Sequence, residues 1–131
     1  MTPSSEIRSG STAGREISRG VISIYKEHTD RGPAAARTTI SDHHVVITLE
    51  TALTKAERSL VAGGDGDLVR AIRRKFQAAM ANEVIELVER ATGRTALTLL
   101  SDHDVERDLA VEVVVFEGAP PEDVATMNEA P

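Results

Sequence analysis

The sequence has no cysteine and no tryptophan, and its 131 residues include only three aromatic side chains, those of Tyr25, Phe76 and Phe116. Without cysteine the protein can form neither disulfides nor thiolate zinc sites. The absence also fits a reducing compartment, so we expect a cytoplasmic protein. Because aromatic residues are so few, the core must be built from aliphatic side chains and alanine, and few rings are available to stack on nucleic-acid bases.

Long apolar segments are also missing from the chain. No run approaches the roughly 20 apolar residues that cross a bilayer as a helix, and residues 1–14 lack the apolar centre of a signal peptide. We therefore expect no transmembrane segment and, at most, a peripheral contact with a membrane. A length of 131 residues fits one domain with a sizeable core.

The formal net charge is −6, but the two signs are separated along the chain. Residues 1–82 contain 12 Lys and Arg against 9 Asp and Glu, whereas residues 83–131 contain 3 against 12. Such a split predicts a molecule with one basic and one acidic surface rather than a uniformly acidic one. The negative total also makes nucleic acid an unfavourable partner.

Composition divides the chain into one domain and two tails. Residues 1–12 are rich in Ser, Thr, Gly and Pro, and residues 118–131 are acidic and contain the pair Pro120-Pro121. Both segments are typical of disorder, because they offer little apolar surface to bury. We expect a single domain over residues 13–117.

Hydrophobic periodicity predicts seven elements in that domain. Apolar side chains at helical spacing predict a first helix over roughly residues 15–28, which the loop at Gly32 ends. Apolar runs predict four strands, at residues 37–41, 45–50, 95–101 and 109–117. The last of these is apolar on both faces, which predicts a central position.

Two further helices lie between the strands. The segment from Thr54 to Glu57 is a capping box that opens a short helix, and a long helix follows from Asp67, its predicted cap, to Ala91. The predicted apolar stripe of the long helix is Leu68, Ile72, Phe76, Met80, Val84, Leu87, Val88 and Ala91. The order α-β-β-α-α-β-β predicts an α+β fold, in which a mostly antiparallel four-stranded sheet packs against the helices.

The charges of the long helix are arranged against its backbone dipole. Its first half carries four cations against one anion, and its second half carries three glutamates against Arg90. A helix prefers the opposite order, by about 0.3–1 kcal/mol for each exposed charge. The inversion predicts a compensating partner. Two antiparallel copies of the helix in a homodimer or higher oligomer would supply it, and a neighbouring helix of the same chain is the alternative.

Several short segments, spread in order over roughly residues 14–117, match a family pattern. They are Tyr25-Lys26-Glu27-His28, Arg31-Gly32-Pro33, Ala36-Arg37-Thr38, Leu53-Thr54-Lys55-Ala56-Glu57-Arg58 with Leu60, Leu68-Val69-Arg70 with Arg73, Phe76 and Gln77, Val88-Glu89, Thr92-Gly93-Arg94, and Leu100-Ser101-Asp102. Through them the chain resembles a small bacterial family named after MpsC, a component of a sodium-translocating, membrane-potential-generating system. Asp30 and the pair Ala34-Ala35 depart from the family pattern.

The resemblance implies a soluble accessory protein that works beside an ion-translocating or inorganic-carbon-handling membrane complex. It implies no agreed catalytic residues, and we expect no cofactor. Because a chain without a membrane span cannot move ions by itself, the family name does not make this protein a transporter.

The basic residues of the two middle helices are the main candidate site. They are Lys55, Arg58, Arg70, Arg73, Arg74 and Lys75. Arg70, Arg73 and Arg74 are spaced i, i+3 and i+4, which places them on one face of the helix. This surface would bind an acidic protein partner, a phosphate-bearing ligand or anionic lipid headgroups. An ordinary solvated helix face is the alternative.

Two smaller groups of residues are weaker candidates. The loop residues Arg31, Gly32 and Pro33 with Arg37 could form an anion site and, together with Arg73, an arginine-lined pocket. His43, His44 and His103 are candidate metal ligands, because the segments 42–44 and 102–104 are predicted as hairpin turns. Polar turn residues are the simpler explanation, and we expect no metal site.

The sequence as a whole favours interaction over catalysis. No serine has an adjacent acid and base that a sequence can identify. The leading hypothesis is a non-enzymatic interaction module that binds a membrane complex or another acidic partner. The second is a small ligand-binding protein or enzyme with an arginine-lined pocket, and the third is a nucleic-acid-binding regulator.

Overall fold

The computed structural model describes residues 11–118. The elements are α1 Thr12–Thr29, β1 Ala35–Ile40, β2 His44–Glu50, α2 Lys55–Ala62, α3 Gly66–Thr92, β3 Ala96–Asp104 and β4 Leu109–Phe116. Three helices and one antiparallel four-stranded sheet confirm the predicted α+β fold and its element order. The predicted disordered tails fall almost entirely on residues outside the described range.

Helix α1 begins earlier than its apolar pattern indicates, because Ser11 caps it. The Ser11 hydroxyl accepts a hydrogen bond from the backbone N–H of Gly14 at 3.1 Å, so residues 11 and 12 belong to the helix and its cap rather than to a tail. The helix buries Ile17, Val21 and Tyr25 on one side.

Helices α1 and α3 pack antiparallel and in close contact. His28, near the end of α1, bonds Glu83 in the middle of α3. Gly20, about two turns earlier in α1, meets Leu87 further along α3. A Cβ atom at Gly20 would lie only 2.5 Å from a Leu87 methyl carbon. The glycine therefore sets how closely the two helices approach.

The sheet has the strand order β1-β2-β4-β3, which confirms the predicted central position of β4. Alternate side chains of β2 and β4 point towards the helices and form the core with α1 and α3. These include Val45, Ile47 and Leu49 of β2, and Val114 and Phe116 of β4. A smaller cluster of Leu53, Val69 and Val105 lies beside α2.

The other side of the sheet, here called the open face, carries no helix in the described part of the chain. Its positions follow from strand register and alternation. They are Ala35, Arg37 and Thr39 of β1, His44, Val46, Thr48 and Glu50 of β2, Leu109, Val111, Val113 and Val115 of β4, and Thr98, Leu100, Asp102 and Asp104 of β3.

Helix α2 opens with the predicted capping box. The Thr54 hydroxyl accepts from the backbone N–H of Glu57 at 3.2 Å, and the Glu57 carboxylate accepts from the N–H of Thr54 at 2.8 Å. Both bonds satisfy amides that the helix itself leaves free, which is why this short helix begins at a defined residue.

Helix α3 differs from its prediction in the first half. It begins at Gly66 with Asp65 at the N-cap, so the prediction that Asp67 caps it is wrong. The predicted apolar stripe is confirmed from Met80 to Val88 but wrong at its start, where Leu68 is 52% exposed. The buried positions there are Val69, Arg73 and Gln77. Val69 packs against Leu53 and Val105, whereas Arg73 and Gln77 are buried because polar partners lie beneath them.

The second hairpin turns later than predicted. Residues 102–104 are the last residues of β3, and the turn is formed by residues 105–108. The register explains this, since Asp104 pairs with Leu109 across the turn. The two hairpin turns lie at opposite ends of the sheet, because His44 pairs with Val115 whereas Glu50 pairs with Leu109.

Gly93 ends α3 and provides a local test of the fold. Its φ is +72°, and a Cβ atom would meet nothing within 4 Å. Because an L-residue is strained in this region, Gly93→Ala should lower the free energy of unfolding by about 1 kcal/mol in urea titrations. Gly63 follows α2 with a φ of −86°, so Gly63→Ala is the matched control and should change stability by less than about 0.5 kcal/mol. Equal losses at both positions would contradict this account.

Candidate functional site

The structure divides the six basic residues of the candidate site into three groups. Arg73 is completely buried, so its prediction as a surface residue is wrong. Arg70 is partly covered and forms ion pairs with Asp67 at 2.5 Å and Glu106 at 3.0 Å. The remaining four side chains are exposed, and they are Lys55, Arg58, Arg74 and Lys75.

Arg73 is buried because α2 supplies its counter-ion. Its Nε donates to the Glu57 carboxylate at 3.0 Å, its Nη2 donates to both Glu57 and the carbonyl of Ala52, the latter at 2.9 Å, and its guanidinium lies over the ring of Phe76. Burial opposes ionisation of Glu57, but the hydrogen bonds from Arg73 and Thr54 outweigh it and hold the pKa of the Glu57 carboxyl below its ordinary value. Arg73 therefore joins α3 to α2.

The inverted charges of α3 are compensated in part within the chain. In the first half, Asp67, Glu106 and Glu57 pair with two of the four cations. In the second half, His28 of α1 bonds Glu83 at 2.6 Å, and the Glu89 carboxylate accepts from the backbone N–H of Ala96 at 2.8 Å. These contacts agree with the alternative in which partners within the same chain, rather than a second copy, compensate the charges of α3. A homodimer through α3 stays a prediction, and the charge pattern does not require it.

The predicted arginine-lined pocket is not assembled. Arg37 lies on the open face, where it pairs with Glu50 at 3.1 Å, whereas Arg73 lies on the helix side of the sheet. Arg31 is half-buried and donates to the carbonyl of Thr51 at 3.4 Å. Gly32 packs against Ile22 of α1, and Pro33 is buried, so this loop is part of the packing around α1.

One of the three candidate metal ligands lies far from the other two. His43 and His44 lie at the turn between β1 and β2, whereas His103 lies near the end of β3, at the opposite end of the sheet. Within residues 11–118, no group of three or more histidine or acidic residues is placed to hold a metal ion. The metal interpretation required both hairpin turns to lie at one end of the sheet, and the antiparallel pairing of β2 with β4 places them at opposite ends.

His103 is instead part of the interior. It is 3% exposed, and its Nε2 donates to the Asp108 carboxylate at 3.0 Å. Burial lowers the pKa of His103 despite the opposing effect of its hydrogen bond to Asp108. Asp108 also accepts from the backbone N–H groups of Ala52 and Leu53, so the pair joins the β3–β4 turn to the segment before α2.

A buried polar group that the sequence did not reveal lies between α1 and the sheet. Glu112 of β4 is 1% exposed, and the Tyr25 hydroxyl donates to it at 2.5 Å. Its other carboxyl oxygen contacts the hydroxyl of Ser101 on β3. Burial raises the pKa of Glu112 despite these two bonds, and burial together with Glu112 raises the pKa of Tyr25.

A shallow groove of about 220 Å³ reaches the edge of this group. It runs between α3 and β3 and is lined by Arg74, Gln77, Ala78, Ala81, Leu99 and Ser101. Gln77 donates to the carbonyl of Asp102 at 3.0 Å and has a buried, unpartnered side-chain oxygen. The hydroxyl of Ser101 contacts the Glu112 carboxyl, whose pKa burial raises above its ordinary value. The groove can hold a small polar molecule, but it does not present a catalytic arrangement.

No helix of the described residues combines the length and apolar character that crossing a bilayer requires. A comparison with protein-family models matches residues 11–118 to the family described as MpsC, Na+-translocating membrane potential-generating system. Searches of curated proteins and of solved structures found no match. The family model covers all the elements described above, and on that match the chain belongs to the MpsC family.

Proposed function

We propose that this protein is a soluble, non-enzymatic accessory module of the membrane system for which the MpsC family is named. It works at the cytoplasmic side, where it binds an acidic surface of a membrane protein complex through Arg74 and Lys75, with Lys55 and Arg58 as neighbouring cations. Family membership supports the link to a membrane system. The uncompensated charge on α3 supports the mode of binding.

The observation that carries this proposal is the contrast among the four cations of α3. Arg70 and Arg73 have acidic partners, whereas no acidic side chain within residues 11–118 pairs with Arg74 or Lys75, and both are exposed. These two charges can therefore gain an ionic partner without breaking an existing pair. A guanidinium is also suited to bidentate contact with carboxylates.

Native membranes offer a direct test. The full chain should capture a multispanning membrane protein from detergent-solubilised membranes. The captured amount should fall as the salt concentration rises from about 50 to 300 mM, because salt screens the exposed cations of the binding surface. Arg74→Ala/Lys75→Ala should abolish capture. Lys26→Ala/Arg90→Ala is the matched control, since it removes two exposed cations elsewhere and should capture as the wild type does.

Two outcomes would argue against the proposal. If the Arg74/Lys75 variant recovers the same proteins as the wild type, the basic residues are ordinary solvated surface. If duplex DNA in excess displaces the captured protein, the nucleic-acid alternative gains support, because a polyanion would then compete for the same cations.

The ligand-binding alternative has one observation in its favour, which is the groove between α3 and β3. Arg74 lines this groove but Lys75 does not. The single variants therefore separate the two functions. Docking to an acidic surface should weaken in both Arg74→Ala and Lys75→Ala, whereas binding of a small anion in the groove should weaken only in Arg74→Ala.

A further inference from the structure

The composition of the open face does not fit contact with water. A strand that faces solvent on one side alternates apolar and polar residues, but every outward position of β4 is apolar: Leu109, Val111, Val113 and Val115. Val46 of β2 and Leu100 of β3 extend this apolar surface on both sides. Leu100 is 60% and Leu109 45% exposed. A continuous apolar patch of this kind is typical of an interface.

The charges on the two edge strands show which partner would fit. Arg37 on β1 is 73% exposed at its side chain and is the only arginine or lysine among the open-face strand positions defined above. Asp102, on β3 at the other edge, is exposed and has no cationic partner within residues 11–118. Arg37 pairs with Thr48, Thr48 pairs with Val111, and Val111 pairs with Asp102. Arg37 and Asp102 therefore lie in one row that crosses the sheet. In this row the β1 edge carries a cation and the β3 edge carries an anion, whereas Asp104 on the β3 edge already pairs with Arg107 at 3.1 Å.

We propose that a second copy of the chain covers the open face, in a dimer whose twofold axis runs parallel to the strands between β2 and β4. This rotation lays β1 of each copy over β3 of the other. Because Arg37 and Asp102 lie in one row, each Arg37 then faces Asp102 of the other copy, and symmetry forms the contact twice. A twofold axis perpendicular to the strands would instead lay β1 of one copy over β1 of the other. Arg37 would then face no acidic side chain of the other copy.

The dimensions agree with this arrangement. Aligned sheets pack about 10 Å apart, a gap that an arginine and an aspartate together can span. Four strands at roughly 4.8 Å spacing and four rows of outward residues give about 500 Å² for each copy. Two copies then bury about 1,000 Å², which reaches the lower limit for a specific interface. The existing pair of Arg37 with Glu50 is exposed, so sharing Arg37 costs little.

A charge exchange on the full-length chain tests the proposal by sedimentation equilibrium. The wild type should be dimeric at about 10 µM. Arg37→Asp and Asp102→Arg should each raise the dimer dissociation constant at least about tenfold, because each places like charges opposite one another twice. The double variant should return to within about threefold of the wild type. Lys26→Asp, on the exposed side of α1, should leave the constant unchanged.

The rescue in the double variant excludes misfolding as the cause of the single effects. Val113→Lys, in the centre of the open face, is a second variant and should be monomeric with an unchanged far-UV spectrum.

The proposal is overturned by a wild type that stays monomeric at about 100 µM, as expected if residues 119–131 cover the face instead. It is equally overturned by single variants that dimerise normally, or by a double variant that does not recover. Arg74→Ala/Lys75→Ala should dimerise as the wild type does. Sedimentation therefore tests the dimer, and membrane-protein capture tests the proposed function, independently of each other.

Discussion

Replacing Arg73 with alanine should lower the free energy of unfolding by about 3–5 kcal/mol, whereas the same change at Arg74 should alter it by less than about 0.5 kcal/mol. The two arginines are adjacent in sequence, but Arg73 is 0% exposed and Arg74 is exposed. Removal of Arg73 leaves the Glu57 carboxylate and the Ala52 carbonyl without their donor inside the protein. Urea unfolding followed by circular dichroism would measure both variants.

A double variant shows whether the buried ion pair is the cause. Glutamine at position 57 keeps the capping box with Thr54 but carries no charge. Arg73→Met/Glu57→Gln should therefore be more stable than Arg73→Met, because no unpaired charge remains. An Arg73→Ala protein as stable as Arg74→Ala would show that Arg73 reaches solvent.

Glu112 should hold its proton to a higher pH than an exposed glutamate does, because burial raises its pKa. Glu112→Ala should lower the free energy of unfolding by about 3 kcal/mol, because it leaves a cavity and removes the partner of the Tyr25 and Ser101 hydroxyls. Glu112→Gln keeps the shape and the polar contacts, so it should lie within about 1 kcal/mol of the wild type at neutral pH. Urea titrations of the two variants provide the comparison.

The pH dependence gives the second half of this test. The folded pKa of Glu112 is raised by burial above its ordinary value of 4.5. The unfolded chain therefore loses this proton first, so the stabilising contribution is present below about pH 4.5 and is lost as the pH rises towards the folded pKa. Relative to Glu112→Gln, which does not titrate, the wild type should lose stability as the pH rises. A gain instead would mean that the folded protein holds Glu112 ionised.

Acid should act on Glu57 in the opposite direction. Because the pKa of Glu57 is lowered from 4.5, its stabilising contribution is present at neutral pH and is lost as the pH falls through the folded pKa. Comparisons between wild type and a Glu112 variant cancel this effect, since both proteins retain Glu57.

Much of the local structure was predictable because its causes lie within a few residues. The alternation of Val45, Ile47 and Leu49 identifies β2, and the capping box identifies the start of α2. Gly93 ends α3 in the left-handed conformation that glycine favours. The less accurate boundaries, such as the start of α1 and the turn after β3, depend on a capping serine and on strand register.

The burial of charged residues was harder to predict, although a signal exists for each. Arg73 lies seven residues before Met80 and eleven before Val84, on the same buried line of α3. Glu112 alternates with Ala110 and Val114 on the core side of β4. The prediction of Arg73 as a surface residue follows from the cost of burying a charge, and that cost is removed only by partners that local patterns do not identify.

The sequence by itself determined the element order, the fold class and the family likeness, because periodicity, caps and turns act over short distances. Only the tertiary structure decided which polar residues enter the core and which cations remain exposed. The reason is that the partners are distant along the chain: Glu57 is 16 residues from Arg73, and Tyr25 is 87 residues from Glu112. Whether a charge is buried or free depends on such contacts, and so does the division of α3 into a structural Arg73 and an exposed Arg74.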